Sequence, residues 1–599
     1  HNKISARASS LLEDPGFLEE LARTAVDTGK TPEQAAKYAR KCLREIAATP
    51  SESWLAPAAK LARFIYTRSY EPELDINLPA LETLKASSQD HLLLFLWSHK
   101  SHMDSFVFLL SLYENNFRPL PLVFAGINMN FLGFGTLARK VGAIFLRRSF
   151  HDDPVYKLVF RHYIDYLIRH RLPLTWSIEG TRSRTGKLSP PRLGILNWVL
   201  EACEREDMRD VRLVPVSIAF DRIAEIGDYV ALQQGMPKRK ESLRWFLDFI
   251  FRMKEPCGKI YVRYGEPIPL AHAPGQVGDS DGGSTLATRL AFEVCTRIEQ
   301  ITPIKSADVL AMVLLAADGR ALTLAEIFAQ AREIVGVIAA RALPVGTGFR
   351  LDDQEQLAAA VLSMRRSGLI KSYDKGPAPV YYIPEEQQLA AAYYRNTITH
   401  YFLASALGET ALALGVYSIE LPGPATLRAA VERLRDLFKF EFFFRPREEF
   451  WREVLAETGR CYPDWDRGEV SIHRQLKQSP PRFGHAILRS MTEAYRVVAE
   501  GLLTLGDAPV SDRKKFTASL LDRASEMLLR RQISGASAIS RDLFVTGLRL
   551  AEHRQLLQGE SVLERRRAFA LETREVLGAV DLLQECYDFA WFAADTRDA

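Results

Sequence analysis

His99 and Asp104 stand five positions apart in the string Leu96-Trp97-Ser98-His99-Lys100-Ser101-His102-Met103-Asp104, directly after the apolar run Leu92–Trp97. Such a run delivers the residues after it to the end of a buried strand. On one helix the pair would lie about 140° apart, on different faces. With His99 in a strand-to-helix turn and Asp104 in the first helical turn, the carboxylate folds back onto the imidazole. It then accepts from one ring nitrogen, fixes the tautomer and raises the basicity of the other. That other nitrogen could take a proton from an alcohol attacking an ester-like carbon. Alone, the same residues also fit a plain helix start with an acid in its first turn. His102, one residue before Met103-Asp104, reads as a packing or hydrogen-bonding residue rather than a second base.

Three further strings follow. Gly142-Ala143-Ile144-Phe145-Leu146-Arg147-Arg148 is a short apolar strand ending in two arginines. Paired guanidiniums at a strand end suit a phosphate, because arginine donates bidentately. Ile178-Glu179-Gly180-Thr181-Arg182-Ser183-Arg184-Thr185-Gly186-Lys187 follows the apolar run Leu174–Ile178. Its glycines let backbone approach a ligand closely, and it brings three positive charges into one turn. Glu179 could order the arginines or bind a substrate hydroxyl. In Leu213–Ile218, Pro215 points to an edge strand or a bulge, because proline lacks a ladder donor.

The elements that must position these residues are short apolar runs alternating with helix-length stretches. The runs are Leu92–Trp97, Leu120–Phe124, Ala143–Leu146, Leu174–Ile178, Leu213–Ile218 and Ile260–Tyr264. Between them, Val155, Val159, Tyr163 and Leu167 mark one helical face. Strand and helix in repetition predict an α/β domain with a mixed, largely parallel sheet flanked by helices, over residues 86–273. Residues 1–85 read as an N-terminal helical region, with Thr31-Pro32-Glu33 as a helix start. The Gly/Ser/Asp-rich stretch 274–285 reads as a linker. Residues 286–599 read as a large, mainly α C-terminal domain. Its exception is a small hairpin from Gly368–Tyr373 and Val380–Ile383, as in a winged-helix module used structurally.

With 599 residues the chain is too long for one core. Its net charge of +4 is too weak to argue for nucleic acid. Six scattered cysteines without a C-x-x-C pair argue against a zinc site or a disulfide framework. No apolar stretch reaches the length of a membrane span. The chain opens on histidine, which leaves its native start open.

Together the four strings resemble the ordered motifs of the glycerolipid acyltransferase superfamily: HKSHMD, GAIFLRR, EGTRSRTGK and the VPVSIAF strand. The extended wording EGTRSRTGKLSPPRLGILN and LVPVSIAFDRIAEIGDY is similar to the long, membrane-associated glycerol-3-phosphate acyltransferases and dihydroxyacetone-phosphate acyltransferases. The likeness is close over about residues 60–270; the long bacterial enzymes carry more sequence ahead of the first motif. It implies a glycerol-3-phosphate 1-O-acyltransferase using acyl-CoA or acyl carrier protein as co-substrate, with no cofactor, no metal and no acyl-enzyme. It implies His99 as general base and Asp104 as its partner. It implies that Arg147, Glu179, Gly180, Arg182 and Ser183 contact or organise glycerol 3-phosphate, with Lys100, Arg148 and Arg184 as supporting charges and Pro215 marking the fourth motif. The alternatives are dihydroxyacetone phosphate as acceptor, or an inactive lipid-binding scaffold.

A lipid substrate also implies a membrane surface as partner, with a peripheral position on the cytoplasmic face of the cell membrane. Two stretches mix aromatic and basic residues as a headgroup interface would: Leu434–Phe450 and Arg244–Arg252, the latter preceded by Lys238-Arg239-Lys240.

Overall fold

The computed structural model describes residues 9–127, 134–147, 149–150, 152–238, 243–253, 255–270, 285–418, 423–467 and 469–595. Three helices come first: α1 (Pro15–Asp27), α2 (Pro32–Ile46) and α3 (Glu52–Tyr66). The start of α2 is the predicted one. Thr31 caps it, and the Gln34 side chain returns a hydrogen bond to the Thr31 amide, closing a capping box. Its buried stripe, Ala35, Ala39, Cys42, Leu43 and Ile46, recurs at helical spacing.

The centre is a mixed sheet of eight strands: β1 (Asp75–Ile76), β2 (Leu92–Trp97), β3 (Leu122–Gly126), β4 (Ala143–Leu146), β5 (Leu174–Ser177), β6 (Val211–Phe220), β7 (Ile260–Tyr264) and β8 (Ile268–Pro269). The order is β1-β7-β6-β2-β5-β3-β4, with β8 also on β6. The strands β6, β2, β5, β3 and β4 run parallel, while β7 and β8 are antiparallel to β6. All six predicted runs are strands. The two-residue β1 and β8 are too short to show a period.

Each face of the sheet is covered. Along β2, Leu93, Phe95 and Trp97 enter one core while Leu92, Leu94 and Leu96 enter the other. That alternation is the two-residue period of a strand, and burial on both sides explains why β2 reads as an unbroken apolar run. Each buried leucine or phenylalanine there contributes roughly 1.5–3 kcal/mol.

One face is covered by α2, α7 (Pro154–Arg169), α8 (Leu193–Arg205) and α11 (Leu286–Ile301). Between these in sequence lie α4 (Leu78–Asp90), α5 (Asp104–Glu114), α6 (Phe134–Lys140), α9 (Ile226–Gln233) and α10 (Leu243–Arg252). The predicted face of α7, Val155, Val159, Tyr163 and Leu167, is fully buried. The other face shares one continuous core with the C-terminal helices, from Tyr66 through Tyr264 to Tyr587. The stretch read as a linker lies outside the described residues except Thr285, which caps α11. The hairpin forms as β10 (Lys371–Tyr373) and β11 (Val380–Tyr382), joined by β9 (Leu322–Thr323).

One expectation is narrowed and one needs correction. Pro215 lies in β6, an interior strand between β2 and β7, so it marks no edge; residues 265–267 face only Val214 and Pro215 there, which is the bulge alternative. Its carbonyl accepts from the Gly265 amide at 2.8 Å. Its missing donor therefore faces the gap between β7, which ends at Tyr264, and β8, which begins at Ile268. The proline is tolerated because the ladder is interrupted there. The stretch Leu434–Phe450 is no surface patch either. Leu434, Leu437, Phe438, Phe442, Phe444 and Phe450 belong to the helical core, and Phe443 packs edge-on against Phe292. Its basic residues are drawn into ion pairs with Glu432, Asp436 and Glu449, and Arg433 just before it pairs with Glu572 and Glu575. The aromatic-basic pattern served packing.

Candidate active site

The parallel register sets the chemistry at one edge. Trp97 pairs with Ser177 on β5, so these two strands end together, and with Val216 on β6, which runs on to Phe220. His99 follows β2 by two residues, and Glu179 follows β5 by two. Sites of open α/β sheets gather at these carboxyl ends.

His99 and Asp104 meet as predicted. His99 sits in the turn, Asp104 opens α5, and Nδ1 lies 2.8 Å from Asp104 Oδ2. The same oxygen accepts the backbone amides of Lys100 at 2.6 Å and Ser101 at 2.9 Å. An oxygen serving two amide donors is an acceptor, so Nδ1 carries the proton and Nε2 keeps its lone pair. Asp104 is fully buried, and its ring partner stands edge-on to Trp97 with centroids 5.0 Å apart.

Glu179 stitches the turn to the basic loop. Its carboxylate accepts the amides of His99 at 2.7 Å and Ser189 at 2.8 Å. It therefore orders backbone, and neither oxygen is turned to a substrate hydroxyl. Burial pushes the Glu179 carboxyl up, partly offset by Lys100. Burial likewise pulls Lys100 down, and its ammonium donates to the Gly186 carbonyl at 2.6 Å. Lys100 thus faces the loop from below. Ser183 is also buried. Its amide donates to the His99 carbonyl at 2.8 Å, and its hydroxyl donates to the Lys187 carbonyl. Gly180 adopts φ +65°, and a Cβ there would lie 2.9 Å from the Arg192 side chain.

His99, Gly180, Arg182 and Arg184 line a cavity of about 1230 Å3. Most of its wall is apolar, from Leu55, Ala59 and Ala62 of α3 to Phe106, Leu109 and Trp176. Arg147 also reaches it, but both Glu45 oxygens take its guanidinium, at 2.6 and 2.9 Å, and Asp153 takes it at 2.8 Å. Tyr156 lies under the same group, 4.3 Å from it. Arg184 pairs with Asp542 at 3.3 Å. Arg148 lies outside the described residues.

His102 behaves as a packing residue. It packs against Trp245 with tilted rings, centroids 4.5 Å apart, and burial pushes its imidazole down to about 2. Its amide and the Ser101 hydroxyl donate to the buried Glu225, at 2.9 and 2.8 Å. Glu225 was not singled out from sequence; its only signal is a charged residue following the strand β6. Glu45, Asn396, Glu441 and Asp542 were missed because each is brought in from far along the chain, whereas Asp153, six residues after Arg147, was within local reach.

A base–carboxylate pair, a basic loop and a large apolar cavity are the equipment of an acyltransferase. The acyltransferase family model matches residues 77–219, and the glycerol-3-phosphate acyltransferase C-terminal region matches residues 229–560. The chain belongs to the glycerol-3-phosphate acyltransferase family. It is 33% identical over 587 residues to a protein of Mycobacterium tuberculosis (strain ATCC 25618 / H37Rv) named as an acyltransferase, plsB1, covering 96% of this chain and 94% of that one. It is 29% identical over 469 residues to the glycerol-3-phosphate acyltransferase of Glaesserella parasuis serovar 5 (strain SH0165), covering 76% of this chain and 57% of that one. The solved 1-acyl-sn-glycerophosphate (LPA) acyltransferase PlsC of Thermotoga maritima aligns over 49% of this chain and 95% of that chain, at 15% identity and a TM-score of 0.24. No helix among the described residues is long and apolar enough to cross a membrane.

Proposed function

We propose that the chain transfers a long acyl group from a thioester, acyl-CoA or acyl carrier protein, to the 1-hydroxyl of glycerol 3-phosphate. The observation that carries this reading is that His99, the basic loop and the apolar wall face one cavity. The acyl chain occupies the apolar part. Arg182 and Arg184 hold the acceptor phosphate and so bring its hydroxyl to His99. Nε2 removes the hydroxyl proton as the oxygen attacks the thioester carbonyl. The C–S bond then breaks, and the imidazolium returns its proton to the leaving thiolate. Asp104 stabilises the imidazolium between the two transfers. Arg147, enclosed by Glu45 and Asp153, holds the cavity wall. No step calls for a cofactor or metal.

A peripheral position on the cytoplasmic face of the membrane fits this chemistry, since the product is a lipid. The docking face we propose is α3 with α10. Trp54, Leu61, Phe64 and Phe251 are exposed there, and Leu61 also lines the cavity. On α10, Trp245 and Ile250 pack inward, while the side chains of Phe246, Leu247, Phe249 and Arg252 lie outside the described residues, as do Arg239 and Lys240.

The test is acyl transfer from palmitoyl-CoA to radiolabelled glycerol 3-phosphate in liposomes, wild type beside His99→Ala. Product from the wild type alone supports the reading. Equal product from both would remove His99 from the mechanism. Product only with dihydroxyacetone phosphate would change the acceptor.

A further inference from the structure

The basic loop Gly180–Lys187 shows four successive carbonyls, each taken by a donor. The Arg184 carbonyl accepts from Gln233 Nε2 at 2.8 Å, Thr185 from Asn396 Nδ2 at 2.8 Å, Gly186 from Lys100 Nζ at 2.6 Å, and Lys187 from Ser183 Oγ. A loop that binds an anion must keep its carbonyl lone pairs away from that anion. Engaging them with donors does this, and it leaves the arginine side chains to face the cavity.

Much of this fixing comes from more than 200 residues away. Asn396 ends the helix Gln388–Asn396. Its Oδ1 is itself held by Arg395, at 3.1 and 3.0 Å, so the amide can present only its NH2 to Thr185. Arg395 is buried and anchored in turn on the Ala486 carbonyl and Ser490, each at 3.0 Å. Gln233 is oriented by Ser540, whose hydroxyl donates to Oε1 at 2.8 Å. At the end of the loop, Lys187 forms an ion pair with the buried Glu441, which also accepts from Tyr495 at 3.0 Å. Gly186 has φ +86°, and a Cβ there would stand 1.9 Å from the Tyr393 carbonyl. Loop and C-terminal helices therefore fit without space for one methyl group.

We infer that the C-terminal helical region sets the shape of the phosphate loop, with Asn396 and Glu441 as its positioning residues for the acceptor. Neither touches the reacting atoms. Asn396 acts through the loop backbone and Glu441 through the Lys187 ammonium, so they govern acceptor binding and leave the His99 pair intact. The inference rests on the reading above, that this loop holds the acceptor phosphate.

The experiment compares full-length Asn396→Ala, Glu441→Gln and Glu441→Asp with wild type, and includes Arg182→Ala as a reference. Steady-state kinetics are run with glycerol 3-phosphate and palmitoyl-CoA each varied, beside thermal unfolding. Asn396→Ala and Glu441→Gln are expected to raise the glycerol 3-phosphate KM about tenfold while kcat and the palmitoyl-CoA KM stay within about twofold. Glu441→Asp, which keeps a carboxylate for Lys187, should recover part of the loss. If Arg182→Ala raises the acceptor KM and the two positioning variants do not, the inference fails while the phosphate reading stands. If both KM values and kcat worsen together with melting temperature, these residues serve stability alone and the inference also fails. If Arg182→Ala leaves the acceptor KM unchanged, the phosphate reading itself fails.

Discussion

The catalytic turn and the basic loop lie side by side, yet they are built in opposite ways. His99 finds its partner five residues on, and Asp104 is fixed by two amides of the same turn. The loop is fixed by Gln233, Asn396, Glu441 and Asp542. The His99–Asp104 contact is local, although Glu179 and Glu225 also hold its turn from distant parts of the chain. A device assembled from distant parts exists only when the whole chain is folded. On the proposed roles, proton transfer rests on a partner five residues away and acceptor binding on partners from much further along the chain.

The largest effect should come from breaking the local device. Asp104→Asn keeps the size of the side chain but presents an amide to the imidazole. Either the donor faces Nδ1 or the two backbone amides lose their shared acceptor. Turnover should fall by about 10^3–10^4-fold, with the acceptor KM little changed. Rate measurements at saturating acceptor check this. A loss of less than tenfold would mean that His99 does not need its carboxylate.

The distant device should break next at Gly186. Gly186→Ala combines an unfavourable left-handed backbone with contact at 1.9 Å against the Tyr393 carbonyl. Backbone cannot yield as a side chain can, so the loop must move off the helices. The expected result is at least a tenfold rise in acceptor KM and a melting temperature lowered by several degrees. Unchanged binding would show that the loop works without its distant support.

The same contrast explains what could be read from sequence. The six apolar runs show because both faces of each strand are buried. The His99–Asp104 pair and the glycines of the loop show because their geometry is local. Pro215 was left between an edge and a bulge because the break between β7 and β8 that receives it lies some fifty residues downstream. Leu434–Phe450 was misjudged because composition cannot tell an aromatic stretch that packs from one that docks. The carboxylates on Arg147 come from either side of it, 102 residues before and six after, and only the first is beyond local reading.

Arg147 offers a smaller test of which arginines bind substrate. Its guanidinium is matched by two carboxylates, whereas Arg184 meets Asp542 alone and, with Arg182, lines the cavity. Arg147→Ala leaves Glu45 and Asp153 as unpaired, partly buried like charges. It should cost roughly 1–3 kcal/mol of stability and raise the acceptor KM less than Arg182→Ala does. Chemical denaturation beside kinetics separates the two effects. A large rise in acceptor KM without loss of stability would place Arg147 on the phosphate instead.

The smallest effect is a pH dependence confined to the helical region. His485 is buried against Tyr587, with ring centroids 4.6 Å apart, and burial followed by the charge of Arg489 pushes its imidazole down to about 3. Unfolded, it titrates near 6.5. Between these values the unfolded chain binds a proton that the folded chain refuses. Stability is therefore full above pH 6.5 and is lost as pH falls, by roughly 2 kcal/mol at pH 5 for this group. His485→Phe, which keeps an aromatic ring against Tyr587, should flatten that part of the melting-temperature profile and leave the profile above pH 7 in place. If wild type and variant lose stability in parallel, another buried group sets the acid limit. If they diverge, His485 sets part of the acid limit of the helices that pack on the basic loop.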